Sequence, residues 1–325
     1  PERKIERVLL VTPPDSEAAA FREDTAKRRR YPNYPPYGLA VIAQKLRDIG
    51  IEVEITNLNH EVLKRCITAE DGFDYDAAWK VRLQEDIYGF DPDLVGVTCM
   101  FTMTHASFKN VCSWAKHLGA PVVIGGVHVT NDVERVLDDI PSADIAFLNE
   151  AEIAMQNLVR VVNGESAELC QVILVDGKER HRLRNDCKPK AEDIDVIPAY
   201  DLLPMKEMSD YGTVGAFYCF PPKGTRFATV LSNRGCRAQC TFCSVRTFNG
   251  MGVRQRSVSS VVDELEILKN EYGIGHIMWL DDDLLKDHAR AISLFNEMVR
   301  RNLGITWDAT NGLIAHSCEH EVVAA

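Results

Sequence analysis

No stretch of this 325-residue sequence approaches the ~20 consecutive apolar residues that a membrane helix needs, so no membrane partner is expected. The opening Pro1-Glu2-Arg3-Lys4 runs straight into a strand-like segment, without the charged, apolar and small-residue succession of a secretory leader. Basic residues are in deficit: 37 Lys and Arg stand against 48 Asp and Glu, a net charge of −11. Nucleic-acid binding usually leaves a basic footprint, so a polynucleotide partner is disfavoured. The one basic block, Lys27-Arg28-Arg29-Arg30, follows Glu17, Glu23 and Asp24 and reads as a solvated loop. Ten cysteines without secretory features point to a reducing, cytoplasmic setting and to metal work, not to a disulfide framework.

Three of those cysteines, Cys236, Cys240 and Cys243, stand at C-x3-C-x2-C spacing directly after the strand-like run Phe227–Ser232. Thiolates are soft ligands that select Fe–S clusters, zinc or Cu(I). Fe–S clusters usually take four thiolates, so three in one loop leave one iron open for another ligand. Gly235 lets the backbone turn into the loop. The competing reading is structural zinc, with Cys219 or Cys318 as fourth ligand. Zinc knots pair C-x2-4-C with a second Cys/His pair, which neither residue provides.

Ahead of that loop, strand and helix alternate. Strand-like runs at Val8–Thr12, Ile51–Thr56, Asp93–Thr98, Pro121–Ile124 and Asp144–Leu148 are separated by helical periodicity at Tyr37–Ile49, Ser107–Leu118 and Asp132–Asp138. A further helix, Glu152–Val162, follows the last of them. This order predicts an α/β doubly wound parallel sheet with ligand loops at the carboxyl ends of its strands. Cys170–Arg184 reads as a short hairpin, and Lys188–Pro204 as a Pro- and Asp-rich linker. Tyr211–Pro222 reads as apolar packing at a junction. After the cysteine loop, Ser257 or Ser259 is expected to cap a helix bearing Asp263, Glu264 and Glu266. His276–Leu280 is a strand ending in Asp281-Asp282-Asp283, with Asp283 a candidate cap for a helix Lys286–Arg300, and Ile305–Ala309 is a third strand.

The cysteine loop, with Phe242 before the third cysteine, closely resembles the signature of the radical S-adenosylmethionine (SAM) enzymes. The first half resembles the cobalamin (B12)-binding domain of one large subgroup of that family. The matching pieces are Val8–Pro14, Pro35-Pro36-Tyr37-Gly38-Leu39, Val97-Thr98-Cys99-Met100 and the Gly-Gly-x-His-x-Thr turn of Gly125–Thr130. At Asn149-Glu150-Ala151-Glu152 the subgroup often has Gly-Glu-Gly-Glu, and two glycines are lost here. Arg254-Gln255-Arg256-Ser257 resembles its Arg-x-Arg-Ser, and these arginines read equally as positioning charges near the cofactors or as surface ion pairs.

The resemblance implies a cobalamin-binding Rossmann-like domain over 1–165 and a linker with a hairpin over 166–225. Over 226–325 it implies the first part of a radical SAM (β/α) barrel, apparently truncated, whose last strand leaves an unpaired edge. It implies a 4Fe–4S cluster on Cys236, Cys240 and Cys243, and SAM near Phe242, Asp281 and Asp282. Cobalamin is expected near Thr12, Pro13, Thr98, Met100, Thr102, Gly125, Gly126, His128 and Glu150. Because Thr12–Tyr37 holds no histidine, that cobalamin is expected base-off, without a His ligand from this loop; His128 reads as a turn residue capping the loop. The implied activity is reductive SAM cleavage to a 5′-deoxyadenosyl radical, used to methylate an unactivated carbon of a small-molecule substrate. Flavodoxin or ferredoxin would be the electron donor. The alternatives are a cyclase or oxidative rearrangement of the porphyrin-cyclase type, a non-catalytic cobalamin- or metal-binding module, and a zinc-stabilised scaffold.

Overall fold

The structure is a computed structural model describing residues 4–70, 72–183, 186–213 and 224–325. It divides into two units, each described by itself: Pro1–Arg28 with Gly38–Pro189, and Arg29–Tyr37 with Lys190–Ala325. Most of the aromatic stretch Tyr211–Pro222, with Cys219, lies outside the described residues.

The first unit is built on a seven-stranded sheet: β1 (Arg7–Thr12), β2 (Glu52–Asn57), β3 (Leu94–Thr98), β4 (Val122–Gly125), β5 (Ile145–Phe147), β6 (Val172–Asp176) and β7 (Glu179–Leu183). Their order is β2-β1-β3-β4-β5-β6-β7, parallel from β2 through β5 and antiparallel at the β6–β7 hairpin. Side-chain pattern sets position. In β1, Val8, Leu9, Leu10 and Val11 are all buried, as an interior parallel strand covered on both faces requires. In β2, Glu52 and Glu54 alternate with buried Val53 and Ile55, and this half-wet strand takes the edge. The order reverses between β1 and β3, and such a switch point opens a crevice at the carboxyl ends of the strands.

Two helices between β2 and β3 go beyond the sequence reading: Leu58–Thr68, capped by Asn57 accepting from His60, and Tyr75–Phe90, capped by Asp74 accepting from Ala77. The hairpin forms as expected but extends the parallel sheet. One expectation about cysteine is corrected. Cys170 and Cys187 are bonded, their Cα atoms 5.8 Å apart across the hairpin, inside the range a disulfide can span.

The second unit holds a parallel sheet of β8 (Arg226–Val230), β11 (Ile274–Trp279) and β12 (Thr306–Ala309), in the order β12-β11-β8. The two-residue strands β9 (Asn233–Arg234) and β10 (Arg254–Gln255) pair antiparallel. Two helices, Val258–Tyr272 and His288–Arg300, make the crossovers. Ser257 caps the first, as expected, by accepting from Ser260. Asp287, not Asp283, caps the second, because Asp283 is held elsewhere. Beside β12 lies an apolar cavity of about 490 Å³ lined by Phe295, Met298, Leu303, Trp307, Leu313 and Val322.

Candidate cofactor sites

In the second unit the cysteine loop leaves the carboxyl end of β8. The Leu231–Asn233 joint at its root is held from three sides. Asp281, 1 % exposed, accepts from the Ser232 amide at 2.9 Å, the Ser232 hydroxyl at 2.6 Å and the Asn233 amide at 2.8 Å. Arg290 donates to the carbonyls of Ser232 and Arg256 at 2.9 and 2.8 Å. The Arg256 guanidinium donates to the Leu231 carbonyl at 2.9 Å. Behind this joint Arg256 is ion-paired to the fully buried Glu264, whose other oxygen accepts from the Tyr200 hydroxyl.

The loop itself is pinned by Asp283, which meets the Arg237 guanidinium at 3.0 Å and accepts from the Arg237 amide. Gly235 turns with φ 91°, and a Cβ there would stand 2.3 Å from the Gly252 carbonyl oxygen, so only glycine fits. Cys240 and Cys243 are exposed and joined by a turn bond between the Cys243 amide and the Cys240 carbonyl. Cys236 is half-buried, and burial raises its thiol pKa. Phe242 is 90 % exposed. Among the described residues, no group of three His, Cys, Asp or Glu is already gathered around a metal position. The donor set nonetheless fits an Fe–S cluster: three soft thiols on one short, externally braced loop, two of them open to solvent.

The three aspartates divide their work. Asp281 is spent on Ser232 and Asn233, and Asp283 on Arg237. Asp282 has only a 3.4 Å contact from Asn311, and burial, then Asp283, pushes its pKa up to about 6. It is the acid of the three left free to meet a ligand. Burial likewise pushes Asp281 up to about 6, against the pull of Ser232, Arg290 and Asn233. A carboxyl raised in the folded state binds its proton more tightly folded than unfolded, so its contribution to stability falls as pH rises from about 4 to 6 and stays low above that. Asp281→Asn is therefore expected to flatten this part of the pH profile. The stability difference between wild type and variant should shift by about 3 kcal/mol across the window, in urea unfolding at successive pH values.

The second site lies in the first unit, where the expected residues stand on loops after β1, β3, β4 and β5. Thr12 ends β1 and Pro13 follows it, and the Thr12 hydroxyl is buried without a hydrogen-bond partner. Thr98 ends β3 and Met100 follows it, 56 % exposed. Thr102 opens a short 3-10 turn, Thr102–Thr104. Gly125 ends β4, and Gly126 has φ 111°. The close approach at Gly126 is made by the chain itself, since a Cβ there would lie 2.4 Å from the Cys99 carbonyl oxygen. Gly126→Ala is expected to cost at least about 2 kcal/mol of first-unit stability, read as a lowered thermal midpoint, while Gly125→Ala meets only ordinary contacts.

At the glycine-poor turn after β5, Asn149 keeps a left-handed backbone, φ 59°, a conformation asparagine tolerates better than most residues. Its amide donates to the Thr130 hydroxyl at 2.8 Å, and Glu150 beside it is buried. His128 is buried in the short helix Val127–Asn131 and fastens Thr102 at 3.1 Å. His105 and Asp139, which complete this network, went unnoticed in the sequence, where they lie far from each other and match no motif. The unpartnered Thr12 hydroxyl at the switch point, with exposed methionine and threonine beside it, fits a large, mixed-polarity ligand such as cobalamin.

Comparison with known proteins agrees with this division. Residues 25–159 match the model of the B12 binding domain. Over 95 % of its length the chain is 31 % identical to an uncharacterized methyltransferase, PH0819, of Pyrococcus horikoshii. It is 28 % identical over 99 % of its length to the cytidylyl-2-hydroxyethylphosphonate methyltransferase of Streptomyces wedmorensis. It spans about three fifths of these relatives, 60 % and 62 % of their lengths. The radical S-adenosylmethionine methyltransferase TsrM of Kitasatospora setae, solved with cobalamin and a 4Fe–4S cluster, shares the fold. The TM-score is 0.66 over 92 % of this chain and 53 % of that one, at 21 % identity. The family model, the relatives and the shared fold lead to one conclusion: residues 25–159 are similar to the B12 binding domain, and nearly the whole chain is similar to methyltransferases.

Proposed function

We propose that this chain holds cobalamin on its first unit and a 4Fe–4S cluster with SAM on its second, as part of a cytoplasmic enzyme that methylates an unactivated carbon. The observation that carries the reading is the braced loop of Cys236, Cys240 and Cys243, at the carboxyl edge of a parallel sheet, in a chain with a B12-binding domain. When bound, these groups would supply the electron that cleaves SAM to a 5′-deoxyadenosyl radical and the methyl group to be transferred.

The residues supply positioning. Cys236, Cys240 and Cys243 hold three corners of the cluster. Asp281, Arg290 and Asp283 fix the loop on which those thiols stand. Asp282 would accept a hydrogen bond from the SAM hydroxyls or amino group, and the exposed Phe242 would contact the same ligand. Thr12, Pro13, Thr98, Met100, Thr102, Gly125, Gly126 and Glu150 would form the cobalamin edge, with His128 held behind Thr102. The first-strand loop has no histidine to offer cobalt, so cobalamin held there would be base-off with respect to this loop. Further strand–helix units of a (β/α) barrel would pack on β12 and its apolar cavity and carry the substrate-reading residues. A flavodoxin or ferredoxin would deliver the electron.

A second reading, cyclisation or oxidative rearrangement without methyl transfer, is favoured by one specific observation. The chain is 27 % identical, over 68 % of its length, to the anaerobic magnesium-protoporphyrin IX monomethyl ester cyclase of Cereibacter sphaeroides.

Anaerobic reconstitution with iron, sulfide and hydroxocobalamin tests the proposal. The reduced protein is expected to give a cubane EPR signal that changes when SAM is added, and the optical spectrum of base-off cobalamin. Iron that fails to bind or ignores SAM, or zinc in its place, would sink the radical assignment.

A further inference from the structure

In the first unit a chain of four side chains runs outward to the carboxyl edge of the sheet. Asp139 Oδ2 lies 3.2 Å from His105 Nε2, His105 Nδ1 lies 2.9 Å from His128 Nε2, and His128 Nδ1 lies 3.1 Å from Thr102 Oγ1. The two imidazoles meet edge-on, their planes 87° apart. Each contact needs one hydrogen, and the residue types decide where it sits. A carboxylate only accepts, so His105 carries its hydrogen on Nε2. A neutral imidazole has a single N–H, so His105 Nδ1 accepts and His128 must donate from Nε2. His128 Nδ1 is then an acceptor in its turn, and the Thr102 hydroxyl gives it its only hydrogen.

With both rings neutral, the four residues therefore have one consistent arrangement. Neutrality of His128 is favoured by its burial, at 4 % exposure. Burial first, then His105, lowers its pKa, with Asp132 pulling the other way and Arg135 adding to the lowering. The Thr102 oxygen is left with accepting lone pairs only. It is an exposed residue placed beyond β3, beside the switch-point crevice.

We infer that the Asp139–His105–His128 relay turns Thr102 into a dedicated acceptor that selects an N–H donor on the bound ligand. In cobalamin the groups that fit are the primary amides of the corrin side chains, and this assignment rests on the cobalamin reading above. Thr102 touches the ligand. Asp139, His105 and His128 act through it, as positioning residues.

Two measurements test this separately. Nitrogen-15 spectra of the histidine rings near neutral pH, on protein without cofactor, are expected to show His105 and His128 both as the Nε2–H tautomer. Asp139→Ala should remove that preference. A His128 that carries its hydrogen on Nδ1 would overturn the relay.

The other measurement is an optical titration with hydroxocobalamin and with each of its monocarboxylates, in which one amide has become a carboxylate. Thr102→Val is expected to weaken hydroxocobalamin binding about tenfold. At least one monocarboxylate should bind wild type more weakly than hydroxocobalamin does, by about the same factor, while Thr102→Val does not distinguish the two. Equal affinities of wild type and Thr102→Val for every ligand would overturn the selection. If wild type takes up no hydroxocobalamin, the cobalamin reading fails and the ligand half of the inference with it, while the ring tautomers still decide the relay.

Discussion

Cys240→Ala, reconstituted anaerobically beside wild type, is expected to lose nearly all of its cluster iron and the SAM-sensitive EPR signal, with no change in folding. Fe–S clusters are held by thiolates, commonly four, and the loop offers three. Removing one leaves two ligands, too few to retain a cubane against dissociation. Structural damage should be small, because the Cys240 side chain is exposed and only its carbonyl serves the loop, accepting from the Cys243 amide at 3.2 Å. Stability should therefore stay within about 0.5 kcal/mol of wild type. Hydroxocobalamin binding, which uses the other unit, should not change. Cys318→Ala gives the contrast. Cys318 is exposed and its thiol reaches only the Ile314 carbonyl at 3.9 Å, so its loss should leave iron content and SAM response intact. If Cys318→Ala instead releases bound zinc, the loop is a structural metal knot and the radical reading is wrong.

What the sequence disclosed was mostly local. Four consecutive buried aliphatics in Val8–Val11 and alternation in Glu52–Ile55 are period signals that marked both runs as strands, and the fold sets the first inside and the second at the edge of one sheet. The cysteine spacing is equally local, since all three ligands sit on one loop. Some missed features were also readable. Trp79, Leu83, Ile87 and Phe90 recur at helical spacing behind an Asp74 cap, so the helix Tyr75–Phe90 was written in the pattern. Glu264 shares the buried stripe of Val261, Leu265 and Leu268, and a carboxylate at such a position needs a cationic partner.

The rest depended on contacts between distant positions, which no period encodes. Residues 29–37 belong with the second unit, where Asn33 donates to the Met208 carbonyl and the Thr213 amide to Tyr31. The hairpin was legible, but the Cys170–Cys187 bridge that closes it joins positions 17 residues apart that match no motif. Asp281 and Asp283 stand two residues apart in a run of like charge, and only the fold shows that one holds the root of the cysteine loop and the other its first turn.

Arg256→Leu is expected to be the most destabilising single change in the second unit. The Arg256 side chain is 2 % exposed and that of Glu264 0 %, and the two form an ion pair. Burial pulls Arg256 toward its neutral form, but Tyr37 and Glu264 outweigh it and hold its pKa above the ordinary range. Burial raises Glu264, and Arg256 and Tyr200 oppose that rise. Each ion is thus tolerable only while the other is present. Removing the arginine leaves a buried carboxylate with the Tyr200 hydroxyl alone and strips a donor from the Leu231 carbonyl, at a cost of about 3–5 kcal/mol. For a unit of this size that corresponds to a fall in thermal midpoint of roughly 10 °C.

Two further variants separate charge from packing. Glu264→Gln should cost less than Arg256→Leu, because a glutamine can still accept from Arg256 or Tyr200. The double variant Arg256→Leu with Glu264→Leu should recover much of the loss, since an apolar pair of similar volume replaces a desolvated ionic one. A double variant as unstable as Arg256→Leu would show instead that Arg256 matters mainly through its grip on the Leu231–Ser232 backbone. Cluster iron would then be lost in both, and Arg256 would belong to the bracing of the cysteine loop alongside Asp281 and Arg290.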